Sequence, residues 1–258
     1  MINVEKISIT QIDQITCFNN ADELEFIMDE VQEGSINNTQ EKVDMTGRGG
    51  RKIGSLKKNK AVTVSATNGL VVGGALAAQT GTEVEHGTFK VRVTDIITVK
   101  SNVATSAKEA VGTAGAEIGT IYKKNENGSL GEKLTQVAAT PKTGEFTYDP
   151  KTKAITFFAG DLEDGAEVVA FYDVEVEAAK ISNDSEKYSK VLKMYIDVEC
   201  QDNCDNVYHG QFIIPRADFN GEFDLAMGGD PTVHAIEAES LAGGCTGSTK
   251  LWDFIIYE

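Results

Sequence analysis

Little in this chain of 258 residues belongs to the usual equipment of an enzyme or a disulfide scaffold. Its four cysteines, Cys17, Cys200, Cys204 and Cys245, are too few and too scattered for a disulfide framework, so free thiols are expected. Cys200 and Cys204 stand with three residues between them near His209, but the second cysteine pair of a usual zinc site is missing. The surrounding "ECQDNCDN" reads as a polar hairpin tip, and no metal is expected. Histidine occurs three times, at His86, His209 and His234, with neither an HExxH pair nor a Gly-x-Ser-x-Gly elbow. Each of the three reads as a surface or interface residue. Acidic residues are so numerous that any carboxylate pair arises by chance, and the scarce aromatics leave little for a sugar platform. The expectation is a protein that is not an enzyme and carries no cofactor. No stretch approaches the roughly 18 consecutive apolar residues of a membrane span. The opening "MINVEKISITQIDQ" has neither the basic nor the apolar region of a signal peptide, which predicts a soluble product of a cytoplasm.

What the chain has in quantity is negative charge, a formal net of −16 at pH 7. Against that stands "TGRGGRKIGSLKKNK", residues 46–60, with Arg48, Arg51, Lys52, Lys57, Lys58 and Lys60 and no acid. Taking these six charges away from −16 leaves −22 on the remainder, a surface that repels nucleic acid at long range. The stretch is no phosphate-binding P-loop, because Arg51 separates Gly50 from Lys52. "GRGG" occurs once, whereas arginine-glycine segments that bind RNA work by repetition and interleaved aromatics. A nucleic-acid module built on 46–60 is therefore an alternative, and a contact with the acidic surface of another copy is preferred.

The 25 glycines and the many Thr, Val, Asp and Asn residues predict strands joined by turns, hence a mainly β protein. Residues 22–33, "DELEFIMDEVQE", fit both helical spacing and strand alternation. The following "EGSINNTQEKVDMTG" cannot prolong a helix, which favours a strand running into the basic loop. "AVTVSAT" at 61–67 reads as the returning strand. A short helix is expected after it, capped by Asn68 and stopped by Gly81. Residues 87–100 alternate as a half-buried strand, with Phe89, Val91 and Val93 on one face. Residues 101–118 are weakly patterned, either loop or short helix. From Gly119 the pattern is a compact β module, with an Asn127-Gly128 turn, a hairpin about Asp149-Pro150 and a long alternating strand. Residues 190–219 read as two strands about a polar tip. The end of the chain predicts strands around Gly228-Gly229-Asp230-Pro231, with Trp252, Phe254, Ile255 and Ile256 docking on the body. The division expected is 1–100, with a loop at 41–60, then a module at 101–185, then 186–258. The fold class expected is a β-sandwich or barrel with one short flanking helix, and an Ig-like module is a possible addition.

The segment "KVDMTGRGGRKIGSLKKNKAVTVSATNGLVVGGALAAQTGTEVE" resembles the amino-terminal hairpin, stacking loop and following helix of long-tailed phage tail tube proteins, those of phages of Gram-positive bacteria above all. "FDLAMGGDPTVHAIEAESLAGGCTGSTKLWDFIIYE" is similar to their closing strands and terminal arm, and together the two cover roughly a third of the chain. The resemblance implies a virion protein that forms hexameric rings. One four-stranded sheet from each subunit would close an inner barrel, and stacked rings would conduct genomic DNA without binding it. Its implied partners are other copies of itself and further tail proteins such as a terminator, a tape measure and a sheath, with no membrane. On this reading the six basic residues contact the next ring. Residues 22–32 and 61–67 become neighbouring strands that turn Glu23, Glu25 and Asp29 toward the lumen. A capsid decoration or other virion β protein would share the acidity and the strands. An Ig-like surface adhesin would suit the middle module but would need a secretion signal or anchor.

Overall fold

The computed structural model describes residues 6–228, 231–243 and 249–258; Cys245 and the Gly229-Asp230 centre of the expected turn lie outside them. The chain opens with β1 (Ile7–Phe18), β2 (Leu24–Met28), β3 (Val31–Thr46), β4 (Lys52–Asn68) and a single helix α1 (Gly73–Thr80). Then come β5 (Glu85–Thr98), β6 (Val103–Thr105), β7 (Ile118–Lys124), β8 (Leu130–Gln136), β9 (Glu145–Asp149), β10 (Ala154–Phe157) and β11 (Glu167–Lys180). It closes with β12 (Val191–Asp202), β13 (Val207–Phe219), β14 (His234–Ser240) and β15 (Asp253–Tyr257). The protein is mainly β with two sheets and one short helix, as its composition predicts.

Two compact units divide it: residues 1–85 with 180–258, and residues 86–179. The borders expected at 100 and 185 therefore move. The alternating strand at 87–100 lies in β5, which pairs with β11 in the sheet of the second unit. Alternation marks a half-buried strand and is silent on which sheet it joins.

The sheet of the first unit runs β2-β1-β12-β13-β14-β4-β3, with β15 added on β13. Its hydrophobic face follows from period-2 alternation: along β12, Leu192, Met194, Ile196, Val198 and Cys200 are buried while the residues between them are half-exposed. Ile15 and Cys17 of β1, Val64 and Ala66 of β4, and Ile214 and Ala217 of β13 join them in one core. Helix α1 contributes Ala75 and Ala78 to the same core. It ends where expected, at Gly81, whose left-handed φ of 71° a side chain would strain. It starts later than expected, after Val72 and without a side-chain cap. Asn68 is instead the buried last residue of β4, where its side chain accepts the Glu30 N–H at 3.1 Å and donates to the Leu70 carbonyl at 2.9 Å.

In the second unit the order is β5-β11-β7-β8-β9-β10-β6, and its core gathers Ile121, Leu134, Phe146, Ile155, Val168 and Tyr172. The Asn127-Gly128 turn and the Asp149 hairpin fall where predicted, the latter closed by Lys151 N–H and Thr152 Oγ1 donating to the Asp149 carboxylate. Residues 101–118 hold the short strand β6 and turns, with no helix. The segment 221–228 is also no strand, so only β14 flanks the expected turn. Among the described residues no helix is long and apolar enough to cross a membrane.

Candidate functional site

The basic stretch expected as a loop is a ladder. β3 and β4 pair from Val31↔Asn68 outward to Thr46↔Lys52, and only residues 47–51 turn the chain. Gly49 and Gly50 make that turn at φ 76° and 77°, values open to glycine at little cost. Loop-like composition misled here because a two-stranded ribbon tolerates polar side chains on both faces; the pairing comes from register, which composition does not reveal. β14 covers β4 only from Thr63 to Asn68. Residues 41–60 thus project as an arm whose strands have only each other as neighbours among the described elements.

On this arm the six basic residues are unequal. Lys52 Nζ lies 2.6 Å from Asp44 and Lys58 Nζ 3.4 Å from Glu41, so two of the charges are answered across the ladder. Arg48, Arg51, Lys57 and Lys60 have no acidic partner among the described residues. Lys42, opposite Lys57, adds a basic residue that the sequence reading missed. A second omission matters more. Val43 faces Leu56 across the ladder, Met45 faces Gly54, and Ile53 follows, with 44%, 58%, 50% and 65% exposure for Val43, Leu56, Met45 and Ile53. Four large apolar side chains together on a thin ribbon mark a contact surface. Alternation of Val43 with Met45 was the available sequence signal.

The acidic segment is a strand, as favoured, but its partner differs. β2 pairs with β1 through Ile15↔Met28 to Phe18↔Leu24, and β3, not β2, lies against residues 61–67. Two residues, Asp29 and Glu30, break β2 from β3 and let the chain change neighbour. Glu23 is exposed just before β2 and accepts a hydrogen bond from Asn19 Nδ2 at 2.9 Å. Glu25 is ion-paired with Lys190 at 2.8 Å, both side chains about four-fifths covered. Asp29 sits in the break and lines a cleft toward β1. These carboxylates stand in three different environments.

The thiols are free at Cys17, Cys200 and Cys204. Burial, with a nearby carboxylate, pushes Cys17 and Cys200 upward, so both stay protonated in the core. Cys204 is exposed in the 203–206 tip, held by Asp202, which accepts from the Cys204 and Asn206 backbone. Cys200 points into the core, away from ligand duty, and no group of three or more metal-ligating side chains occurs among the described residues. His86 and His209 are exposed. His234 is fully buried, which sequence could not show: its Nδ1 accepts the Val72 N–H at 3.3 Å, so its Nε2–H donates to Gln79 Oε1 at 2.8 Å. Gln79 Nε2 in turn donates to the Ala235 carbonyl at 3.2 Å, tying α1 to β14.

Comparison with curated proteins gives no match. A family model does match, that of the YomU/Tube protein family, over residues 8–252.

Proposed function

From the chain's membership of the YomU/Tube protein family, which makes it a phage tube-like structural protein, we propose that it polymerises into the stacked hexameric rings of a long phage tail. In this reading it is a virion component of a phage of Gram-positive bacteria, and genomic DNA passes through its lumen during ejection. The rings meet other tail proteins, a terminator, a tape measure and in contractile tails a sheath.

The observation that carries the reading is the β3–β4 arm. It exposes Val43, Met45, Ile53 and Leu56 to water on the same ribbon as Lys42, Arg48, Arg51, Lys57 and Lys60, which have no acidic partner among the described residues. A surface both apolar and unneutralised gains by meeting an acidic, partly apolar neighbour, and the remainder of this molecule supplies one in every other copy. Arg48, Arg51, Lys52, Lys57, Lys58 and Lys60 are thereby assigned to contacts between rings. Glu23, exposed just before β2, belongs to the acidic surface that keeps DNA phosphates from adhering, whereas Glu25 is neutralised by Lys190 and Asp29 lies in the cleft toward β1.

Reversing Arg48, Arg51 and Lys52 together to Glu leaves a folded monomer that no longer polymerises, as read by sedimentation and negative-stain microscopy. The unpartnered cations also favour a second reading, a nucleic-acid site. That reading expects tubes to survive the triple reversal while DNA affinity, followed across a salt series, collapses.

A further inference from the structure

In the first unit, β1 and β3 face each other without pairing. β2 covers only the Ile15–Phe18 end of β1, and β3 has no ladder partner other than β4 among the described strands. The gap between them is an open cleft. Its larger part, about 760 Å³, has apolar walls that include Ile12, Ile36, Val64, Phe212 and Trp252. A smaller part of about 640 Å³ carries Asp13, Asp29 and Glu30, and the two share Thr10, Gln11, Ile12 and Gln32 as lining. Glu33 lines the larger part.

Charge in this cleft has one sign. Among the described residues no lysine or arginine lines it, and Asp13, Asp29, Glu30 and Glu33 have no cationic partner. The arm shows the reverse pattern, with Val43, Met45, Ile53 and Leu56 beside Arg48, Arg51, Lys57 and Lys60. Apolar wall answers apolar stripe, and the unpaired carboxylates of the cleft answer the unpaired cations of the arm, Lys42 among them. The two surfaces cannot meet within one molecule. They belong to the same strand β3, and the seven residues of ladder from Ile36 in the cleft to Val43 on the arm hold them about 23 Å apart at strand rise.

We infer that the cleft between β1 and β3 receives the β3–β4 arm of a second copy, with the apolar stripe against Ile12 and Ile36 and the arm's cations against Asp13, Asp29, Glu30 and Glu33. This rests on the self-assembly reading and names the acceptor surface that the reading leaves open. A chain that gives its arm and receives another through a different surface makes a heterologous contact, which propagates along an axis.

The test uses the full chain with photoreactive benzoylphenylalanine in place of Leu56, mixed with an isotope-labelled copy, assembled and irradiated. Cross-linked peptides are then read by mass spectrometry. The expected products join position 56 of one copy to residues 9–15 or 29–38 of the other. Tubes that form while the cross-links fall on other surfaces overturn the cleft and leave self-assembly standing. Absence of any polymer at high concentration overturns both. A charge exchange gives an independent measure. Asp29, Glu30 and Glu33 changed to Lys slow polymerisation at least tenfold, and pairing that variant with Arg48, Arg51 and Lys57 changed to Glu restores it to within a few-fold. Two folded variants that fail to rescue each other, by circular dichroism and sedimentation, also sink the proposal.

Discussion

His234 and Gln79 form a buried polar junction whose protonation state is fixed by geometry. The Val72 N–H occupies Nδ1, so the ring must be neutral, and burial lowers its pKa below the usual 6.5. In the unfolded chain the same ring takes up a proton as pH falls through about 6.5. The unfolded state thus binds more protons below that value, and the stability carried by neutral His234 is complete above it and is lost as pH falls through the lowered folded pKa. The melting midpoint should therefore drop between pH 7.5 and 5.5, a window that most carboxylates do not enter. The drop should shrink in His234→Gln, while an equal drop in both proteins would assign the effect elsewhere. Gln79→Ala leaves the Ala235 carbonyl and the His234 Nε2–H without partners, at a cost of about 1–3 kcal/mol measurable by urea unfolding. Neither residue announces itself in the sequence, where an isolated histidine gives no clue to its burial. Gly81 is the contrasting case: a glycine after an apolar run predicted a helix stop, and the φ of 71° supplies the reason.

Among the elements, the arm separates what was legible from what was not. The positions of β12 and of β4 from Ala61 onward could be read from alternation because each buries every second residue, and a buried face imposes period 2 on the sequence. The distal ladder of β3 and β4 buries neither face, so its sequence drifts toward Gly, Asn and Lys and reads as a loop. The cross-strand ion pairs Lys52–Asp44 and Lys58–Glu41 were hidden for the same reason, since they depend on register. β2 was read as a strand and assigned the wrong neighbour, because the two-residue break at Asp29-Glu30 carries no glycine or proline to mark it. The arm's function should depend more on its apolar stripe than on any one charge. An exposed ion pair contributes about 0–1 kcal/mol, so a single Lys→Ala change on the arm should leave assembly nearly unaltered. Val43, Met45 and Leu56 changed together to Thr, a residue at home in strands, should preserve the monomer's melting midpoint and abolish polymerisation. Tubes forming at the unmodified rate would show that charge alone drives the contact. Raising the salt concentration should slow assembly of the unmodified protein while leaving the triple variant equally inert.

At the scale of the whole molecule, the second unit is an insertion into the first. The chain leaves at β5 and returns along β11, and Glu85 and Lys180 are ion-paired at 2.8 Å across that junction. Thr88 bonds Glu177 and Arg92 bonds Asp173 further out, a stepwise opposition that marks the two strands as antiparallel. The entry and exit points therefore lie side by side, and closing them needs a turn of only a few residues. The hydrophobic cores of the two units have no residue in common. The arm, the cleft, α1 and the buried histidine all belong to the first unit. Replacing residues 86–179 by a short Asn-Gly turn should then leave a chain that unfolds cooperatively in urea, with a smaller slope that reflects the lost surface, and that still polymerises. Residues 86–179 expressed alone should unfold in a single transition of their own and form no polymer. An excised chain that folds but stays monomeric would place an essential assembly contact in the second unit. That outcome would move the insertion from an accessory of the tube to a part of its wall.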